Sequence, residues 1–230
     1  IIPVLVLFYQ ENGLTMQEVF WLQTAFAILI VISEIPSGYF SDVIGRRRTM
    51  ILGTAMSALG FNLYCFADSF WEFLVVEMIL GVGASFISGT DSALLYDTLL
   101  HLERENEYIQ KEGRMLSLGN FSEGTASVIG GLLAAISLRT PLYIEAVITV
   151  LAIPIAWSLV EPQRHIQKAA RGNMRAIADI VRFALHGNSE VKWLILYSSV
   201  VGASTLSMVW FIQPYLKLAG LPLVLFGIAW

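Results

Sequence analysis

Charged side chains are scarce in this sequence, and cysteine is almost absent. Asp, Glu, Lys and Arg make up 14% of the 230 residues, whereas soluble domains carry roughly 25%. Hydrophobic residues reach 56%, and the mean hydropathy is +0.68. So few charges exclude a disordered chain, a nucleic-acid-binding module and most cytosolic enzymes. The single cysteine, Cys65, excludes an internal disulfide framework and a cysteine-rich zinc site.

Motifs of other protein classes are missing as well. The sequence has no glycine-rich loop of the Walker type, so ATP-driven transport has no support in these residues. The three histidines, His101, His165 and His186, are too scattered to form a metal site. The segment 83–85 (Gly-Ala-Ser) lacks the flanking residues of a nucleophile elbow and lies inside an apolar run. We therefore expect no enzyme, no cofactor and no metal.

Long apolar runs dominate the sequence instead. A bilayer core takes about 20 helical residues to cross. Six runs of this length with at most two charges each are 19–41, 49–67, 73–96, 115–138, 140–160 and 193–216. The shorter uncharged runs 1–10 and 218–230 predict the outer end of a first span and the beginning of an eighth. We number these spans one to eight and predict an all-α integral membrane protein, cut from a longer chain.

Basic residues are distributed unevenly between the connections. Alternate connections hold 12 of the 14 Lys and Arg residues, and only Arg139 and Lys217 fall on the other side. Because basic loops stay inside, the first side is predicted to be cytoplasmic. We expect a multi-pass protein of the cytoplasmic membrane, with the N-terminus and the 161–190 connection in the cytoplasm.

The connection 161–190 is the longest and the most basic. Its apolar residues recur near helical spacing while Arg171 and Arg175 face elsewhere, which predicts a cationic amphipathic helix along the cytoplasmic membrane surface. A docking site for a soluble partner is the alternative. The connection divides the chain into a six-helix bundle over 1–160, with its first helix truncated, and the start of a second bundle over 191–230.

A spaced motif follows span two at the predicted cytoplasmic boundary. It reads Gly-x-x-x-Asp-x-x-Gly-Arg-x-Arg over Gly38, Asp42, Gly45, Arg46 and Arg48. Gly38 permits close approach of a neighbouring helix, Gly45 allows a tight turn with positive φ, and Asp42 can cap a helix or pair with a cation. An ordinary positive-inside hairpin would explain the arginines but not this spacing.

With this motif the chain resembles the major facilitator superfamily. The signature of that family between its second and third helices is Gly-x-x-x-Asp-(Arg/Lys)-x-Gly-Arg-x-(Arg/Lys), and the chain departs from it at Val43. The long basic connection agrees, and segments 34–38 and 93–97 look like a prokaryotic branch. The resemblance implies two six-helix bundles around a central cavity, which rock between inward-open and outward-open states.

The resemblance also implies a conformational latch. In the family, the aspartate and arginine of the motif hold the two bundles together on the cytoplasmic side and stabilise the outward-open state. Asp42 would act on a helix of the second bundle. Arg46 would pair with an acidic residue at the cytoplasmic end of span four, where Asp97 lies. We therefore expect Asp42, Arg46 and Asp97 to form a latch.

Four carboxylates lie at membrane depth, where a charge is costly and usually functional. They are Glu34, Glu77, Asp91 and Glu123, and all four are candidates for proton or substrate coupling. Glu123, about two turns into span five, is the first candidate. The alternative for Glu123 is a protonated glutamic acid that hydrogen-bonds between helices.

The other three carboxylates have alternatives too. Glu77 and Asp91 are 14 residues apart, which on one uninterrupted helix leaves about 40° between them. Small residues such as Gly81 near that stripe favour tight packing instead. The resemblance gives Glu77 no role, because the family often has an arginine there. Glu34 precedes Pro36, whose missing N–H leaves a backbone carbonyl of the helix without its donor and favours a kink. A structural role for Glu34 at this kink weighs equally with a role in transport.

These observations predict a secondary active transporter of small molecules that couples drug or metabolite efflux to protons. The expected partners are a small-molecule substrate, protons and the lipid bilayer, and not nucleic acid. No basic residue lies deep in a span, which favours cationic or neutral substrates. A proton-coupled uptake symporter for a neutral solute is one alternative. A membrane receptor or scaffold that keeps the fold without transport is the other.

Overall fold

The computed structural model describes residues 2–162, 187 and 189–229, and it confirms an all-α membrane fold. The described helices are α1 (Leu5–Glu11), α2 (Met16–Ile44), α3 (Arg46–Tyr64), α4 (Phe70–Ile87), α5 (Thr90–His101), α6 (Tyr108–Ala134), α7 (Thr140–Ser158), α8 (Ser189–Leu218) and α9 (Phe226–Ala229). Short 3-10 turns lie at Ile2–Val4, Glu105–Glu107 and Leu223–Leu225. The amphipathic helix predicted within 161–190 falls almost entirely outside the described residues.

Four helical segments are long and apolar enough to cross a membrane. They are Met16–Ile44, Phe70–His101, Thr140–Ser158 and Ser189–Leu218. Their outward side chains are apolar, as Val31 (68% exposed) and Trp157 (64% exposed) illustrate. A helix in water places polar residues on its outer face, so these surfaces suit lipid. Helices α3 and α6 occupy the other two predicted full spans.

The chain divides into two compact units. The first unit contains Ile1–Arg164 and Leu216–Trp230, and the second contains His165–Tyr215. Among the described residues, the second unit consists mainly of α8, which carries Pro214 in its last turns. Residues 216–230 are the end of the segment 191–230 predicted to start the second bundle; they belong to the first unit, while the bundle division itself stays a prediction. All contacts discussed below lie within this first unit.

Helices α2, α3 and α4 pack closely because glycines face their neighbours. A Cβ atom on Gly83 would lie 3.2 Å from the carbonyl oxygen of Gly53, and one on Gly53 would lie 3.0 Å from that of Gly83. A Cβ atom on Gly81 would lie 3.0 Å from the carbonyl oxygen of Phe26. The small residues of span four therefore serve tight packing, as their pattern indicated.

The prediction of one uninterrupted helix over 73–96 is wrong. Helix α4 ends at Ile87, Ser88 is extended with ψ 126°, and Gly89 adopts the left-handed conformation with φ +73° before α5 begins at Thr90. Glycine reaches positive φ without steric cost, which lets the chain break here. The angle of about 40° between Glu77 and Asp91 assumed a continuous helix, so it does not hold.

Arg139, in the connection between α6 and α7, joins three connections at one end of the unit. Its guanidinium donates to the carbonyl oxygen of Cys65 at 3.0 Å and to Oδ1 of Asn12 at 2.9 Å, and it pairs with Asp68. The guanidinium also stands 5.4 Å from the ring centroid of Phe8. Five donors on a planar group allow one side chain to bind several acceptors at once.

The C-terminal end of α6, close to Arg139 in the chain, packs against the start of span eight. A Cβ atom on Gly131 would lie 3.0 Å from the backbone nitrogen of Gly227. Val4, Ala134 and Phe226 form a buried core at this crossing. The first half of α6 is mostly exposed in this unit.

Candidate functional site

Arg46 is the first residue of α3 and lies between two carboxylates. Its Nη1 is 2.9 Å from Oδ1 of Asp42 at the end of α2, and its Nε is 3.1 Å from Oδ2 of Asp97 on α5. The Arg46 side chain is only 18% exposed. We call these three residues the Arg46 latch. The structure brings them together as expected, while their role in transport stays a prediction.

Two buried hydroxyl groups extend this contact. Nη1 of Arg46 donates to Oγ of Ser41 at 2.9 Å, and Oγ1 of Thr90 donates to the same oxygen at 3.1 Å. The first residue of α5 is thereby tied to α2 as well. Sequence reasoning missed this pair because a serine or threonine within an apolar run carries no signal of its partner.

Glu161 caps the start of α3 from a distant part of the chain. The backbone N–H of Arg46 donates to its Oε1 at 3.0 Å, and the N–H of Arg47 donates to its Oε2 at 2.7 Å. These N–H groups have no partner inside the helix, and a carboxylate is favoured at the positive end of the helix dipole. The side chain of Arg47 donates to the carbonyl of Trp157, which draws the end of α7 to the motif.

The glycines of the motif differ in what they do. Gly45 has φ +126°, and a Cβ atom there would lie 3.2 Å from a carboxylate oxygen of Glu161. The positive φ and the carboxylate both require glycine. Gly38 has no described atom within 4 Å of a Cβ position, so the close approach predicted for it is not met within the described residues. Arg48 is exposed and lines, with Arg47 and Glu161, a cavity of about 360 Å³.

Glu77 lies at the meeting point of four helices. It is 4% exposed, and its Oε1 accepts hydrogen bonds from the hydroxyl of Tyr9 on α1, from Tyr64 on α3 at 2.8 Å and from Nε2 of Gln23 on α2 at 3.2 Å. The two tyrosine hydroxyls also contact each other. We call these four residues the Glu77 cluster. Phe73 closes it, with its ring centroid 5.1 Å from that of Tyr9.

The chemistry of the Glu77 cluster explains why this position carries a carboxyl rather than an arginine. Tyrosine hydroxyls and an amide nitrogen converge there as donors, and they need an acceptor. A guanidinium has five donors and no acceptor, so an arginine would remove the one acceptor on which the donors of Tyr9, Gln23 and Tyr64 converge. The cluster makes Glu77 well suited to hold α1 to α4 together.

The other membrane-depth carboxylates stand apart from Glu77. Oδ1 of Asp91 accepts the backbone N–H of Ser92 at 2.7 Å in the first turn of α5. Glu123 is exposed on α6, and Glu34 is exposed on α2. The structure therefore does not gather the four candidates into one cluster. Within the described residues, no group of His, Cys, Asp and Glu could hold a metal ion.

Comparison with known proteins gives consistent matches. The family model described as Major Facilitator Superfamily matches residues 1–230. An uncharacterized MFS-type transporter of Methanocaldococcus jannaschii is 25% identical over 204 residues, covering 87% of this chain and 52% of that protein. The quinolone resistance protein NorA of Staphylococcus aureus is 23% identical over 152 residues, covering 66% of this chain and 38% of that protein. The chain thus spans about half the length of these relatives or less.

Proposed function

The chain belongs to the major facilitator superfamily, and from this membership we propose that it forms the N-terminal part of a secondary active transporter in the cytoplasmic membrane. The transporter moves a small molecule by alternating access between two bundles. The observation that carries the proposal is the Arg46 latch, in which one arginine lies within 3.1 Å of two carboxylates from different helices.

The latch supports alternating access because it is a contact that can be made or broken as a unit. Arg46 joins the end of α2 to α5, and its own side chain is 18% exposed while that of Asp97 is 25% exposed. Losing one partner of a partly buried ion pair leaves the other charge uncompensated. Opening the latch therefore has a definite free-energy cost, which is what separates two conformational states.

Proton coupling and export of a drug or metabolite form the finer part of the proposal. One relative is named for quinolone resistance, which supports efflux. Of the four candidate carboxylates, Glu123 is the best proton carrier because it is exposed on α6 and has no structural task in the described contacts. Glu77 holds four helices together instead. As candidate proton carriers, Asp91 and Glu34 rank between Glu123 and Glu77.

Proton flux in liposomes tests this proposal. The full-length protein is reconstituted, and substrate-dependent proton movement is followed with a pH-sensitive dye for wild type and Glu123→Gln. We expect Glu123→Gln to abolish the flux, while the matched change Glu145→Gln, in a half-buried carboxyl on α7, retains it. Unchanged flux in Glu123→Gln would remove Glu123 from the mechanism. No flux in wild type with any cationic or neutral substrate would favour the receptor alternative.

Neutralising the latch tests alternating access separately. Asp97→Asn and Asp42→Asn each remove one charge that faces Arg46, and both should shift the population toward the inward-open state. Cysteine cross-linking across the outer gate measures that population. Cross-linking yields equal to wild type in both variants would contradict the latch.

A further inference from the structure

The turn before α3 cannot cap that helix by itself. Gly45 occupies the cap position, and it has no side chain that could accept a hydrogen bond from the helix. The first backbone N–H groups of a helix lack partners within the helix, and a Ser, Thr, Asp or Asn at the cap position usually binds one of them. The start of α3 therefore depends on an acceptor from elsewhere in the chain.

Glu161 supplies that acceptor with both of its carboxylate oxygens. Oε1 accepts the N–H of Arg46 at 3.0 Å, and Oε2 accepts the N–H of Arg47 at 2.7 Å. Two bonds to successive N–H groups fix the direction of the helix start as well as its position. The carboxyl carbon of Glu161 lies 3.4 Å from where a Cβ atom on Gly45 would be, so the glycine lets the carboxylate come this close.

Two other contacts hold the same turn from different sides. The backbone N–H and Oγ1 of the buried Thr49 both donate to the carbonyl oxygen of Gly45, at 3.0 and 2.8 Å. Nε of Arg47 donates to the carbonyl oxygen of Trp157, at the end of α7, at 3.1 Å. The first turn of α3 is thus attached to the end of α7 and to the connection that follows it.

Arg46 connects this turn to the latch. Its backbone N–H is bound by Glu161, while its side chain reaches Asp42 at 2.9 Å and Asp97 at 3.1 Å. Hydrogen bonds weaken steeply when their distance and angle depart from the preferred values. Because the side chain starts from the first helical residue, the point at which Glu161 holds the backbone decides whether the guanidinium reaches both carboxylates.

We infer that Glu161 is the positioning residue of the Arg46 latch. Its carboxylate fixes the first turn of α3, and through the backbone of Arg46 it places the guanidinium between Asp42 and Asp97. Without that carboxylate the first turn frays, and the guanidinium loses its fixed place between the two acidic side chains. The consequence for transport rests on the proposed function, but the hold of Glu161 on the helix start does not.

Amide hydrogen exchange in the full-length protein tests the hold on the helix start. Exchange of the segment 45–50, followed by mass spectrometry, should be about 2- to 30-fold faster in Glu161→Ala, the factor that corresponds to the loss of a helix cap. Glu161→Gln keeps one acceptor oxygen without the charge, so its rate should lie between those of wild type and Glu161→Ala. Glu105→Ala removes an exposed carboxyl in the turn before α6 and should match wild type. An unchanged rate in Glu161→Ala would overturn the inference.

Cysteine cross-linking across the outer gate tests whether the effect reaches the latch. After Cys65 is replaced by alanine, Glu161→Ala should raise the cross-linked fraction, as Arg46→Gln should, because both changes favour the inward-open state. In Arg46→Gln the side chain that Glu161 positions is absent, so adding Glu161→Ala should change the fraction no further. A residue that only stabilised the fold would instead add its own effect.

Two outcomes separate this inference from the proposed function. Equal cross-linking in wild type and Arg46→Gln would contradict the latch, and with it the proposed function. A response to Arg46→Gln without one to Glu161→Ala, or effects of the two changes that add, would overturn the positioning role of Glu161 alone.

Discussion

Replacing Glu77 by leucine is the sharpest test of how the first unit is held together. The substitution removes the one oxygen on which donors from α1, α2 and α3 converge. Leucine is close to glutamate in size, so the change leaves little cavity. The expected effect is therefore the cost of donors without an acceptor, not of lost packing.

The magnitude follows from counting protons. Without Glu77, the hydroxyl of Tyr9 can donate to Tyr64 or the reverse, but not both, so one buried phenolic proton has no acceptor. An unsatisfied buried group costs about 1–3 kcal/mol. Gln23 is only half-buried, and its amide can reach another partner. We expect Glu77→Leu to lower the free energy of unfolding by about 1–3 kcal/mol, and Glu77→Gln, which keeps an acceptor oxygen, by less than about 1 kcal/mol.

Denaturant unfolding of the full-length protein in detergent micelles measures these differences. Glu123→Leu makes the same chemical change at an exposed position on α6 and should stay within about 0.5 kcal/mol of wild type. A double-mutant cycle of Glu77→Leu with Tyr64→Phe should show coupling of about 0.5–3 kcal/mol. If Glu77→Leu is as stable as Glu123→Leu, and the cycle shows no coupling, the donors do not depend on Glu77 and the reasoning is refuted.

Three other contacts give further predictions. Gly83→Val pushes methyl groups into the α3 backbone and should cost about 1–3 kcal/mol in denaturant unfolding, more than Gly38→Val, which meets no described atom within 4 Å. Arg139→Lys keeps the charge but loses the forked donor set, and should lower the unfolding free energy by about 1–3 kcal/mol; an unchanged melting temperature would contradict this. Hydrogen bonds from Arg104 at 2.7 and 2.8 Å hold the pKa of the Glu107 carboxyl below its usual range. The Arg104–Glu107 ion pair should therefore persist above about pH 4.3 and be lost as the pH falls through the lowered pKa of Glu107. An NMR titration of the Glu107 carboxyl carbon measures this pKa. A midpoint at the ordinary glutamate value would contradict the prediction.

The sequence predicted the features that depend on hydropathy and on local spacing. The long apolar runs became helices, and Asp42 and Arg46, four residues apart in the motif, meet across the turn at Gly45. Asp97 could be included in the predicted latch because the major facilitator superfamily places an acidic residue at the cytoplasmic end of its fourth helix. Gly45 was assigned a turn with positive φ, and the structure has φ +126° there.

Features that depend on distant partners could not be predicted. Glu161 caps a helix that begins 115 residues earlier, and no local pattern connects the two. The sequence predicted that Glu77 lies at membrane depth. Its tyrosine donors, however, come from other helices, and the sequence does not specify how those helices are rotated. The break at Ser88 and Gly89 was missed because the run 73–96 is long and mostly apolar, although the polar residues at 88–92 offered a local turn signal.

The cap on α3 also imposes an order in time. Synthesis at about 5–20 residues per second would separate Arg46 from Glu161, 115 residues later, by roughly 6 to 23 seconds. During that interval the nascent chain carries the motif with its first backbone N–H groups uncapped. The turn at Gly45 thus acquires its final stability only after span six has been made, so the N-terminal half completes its assembly late in biogenesis rather than helix by helix.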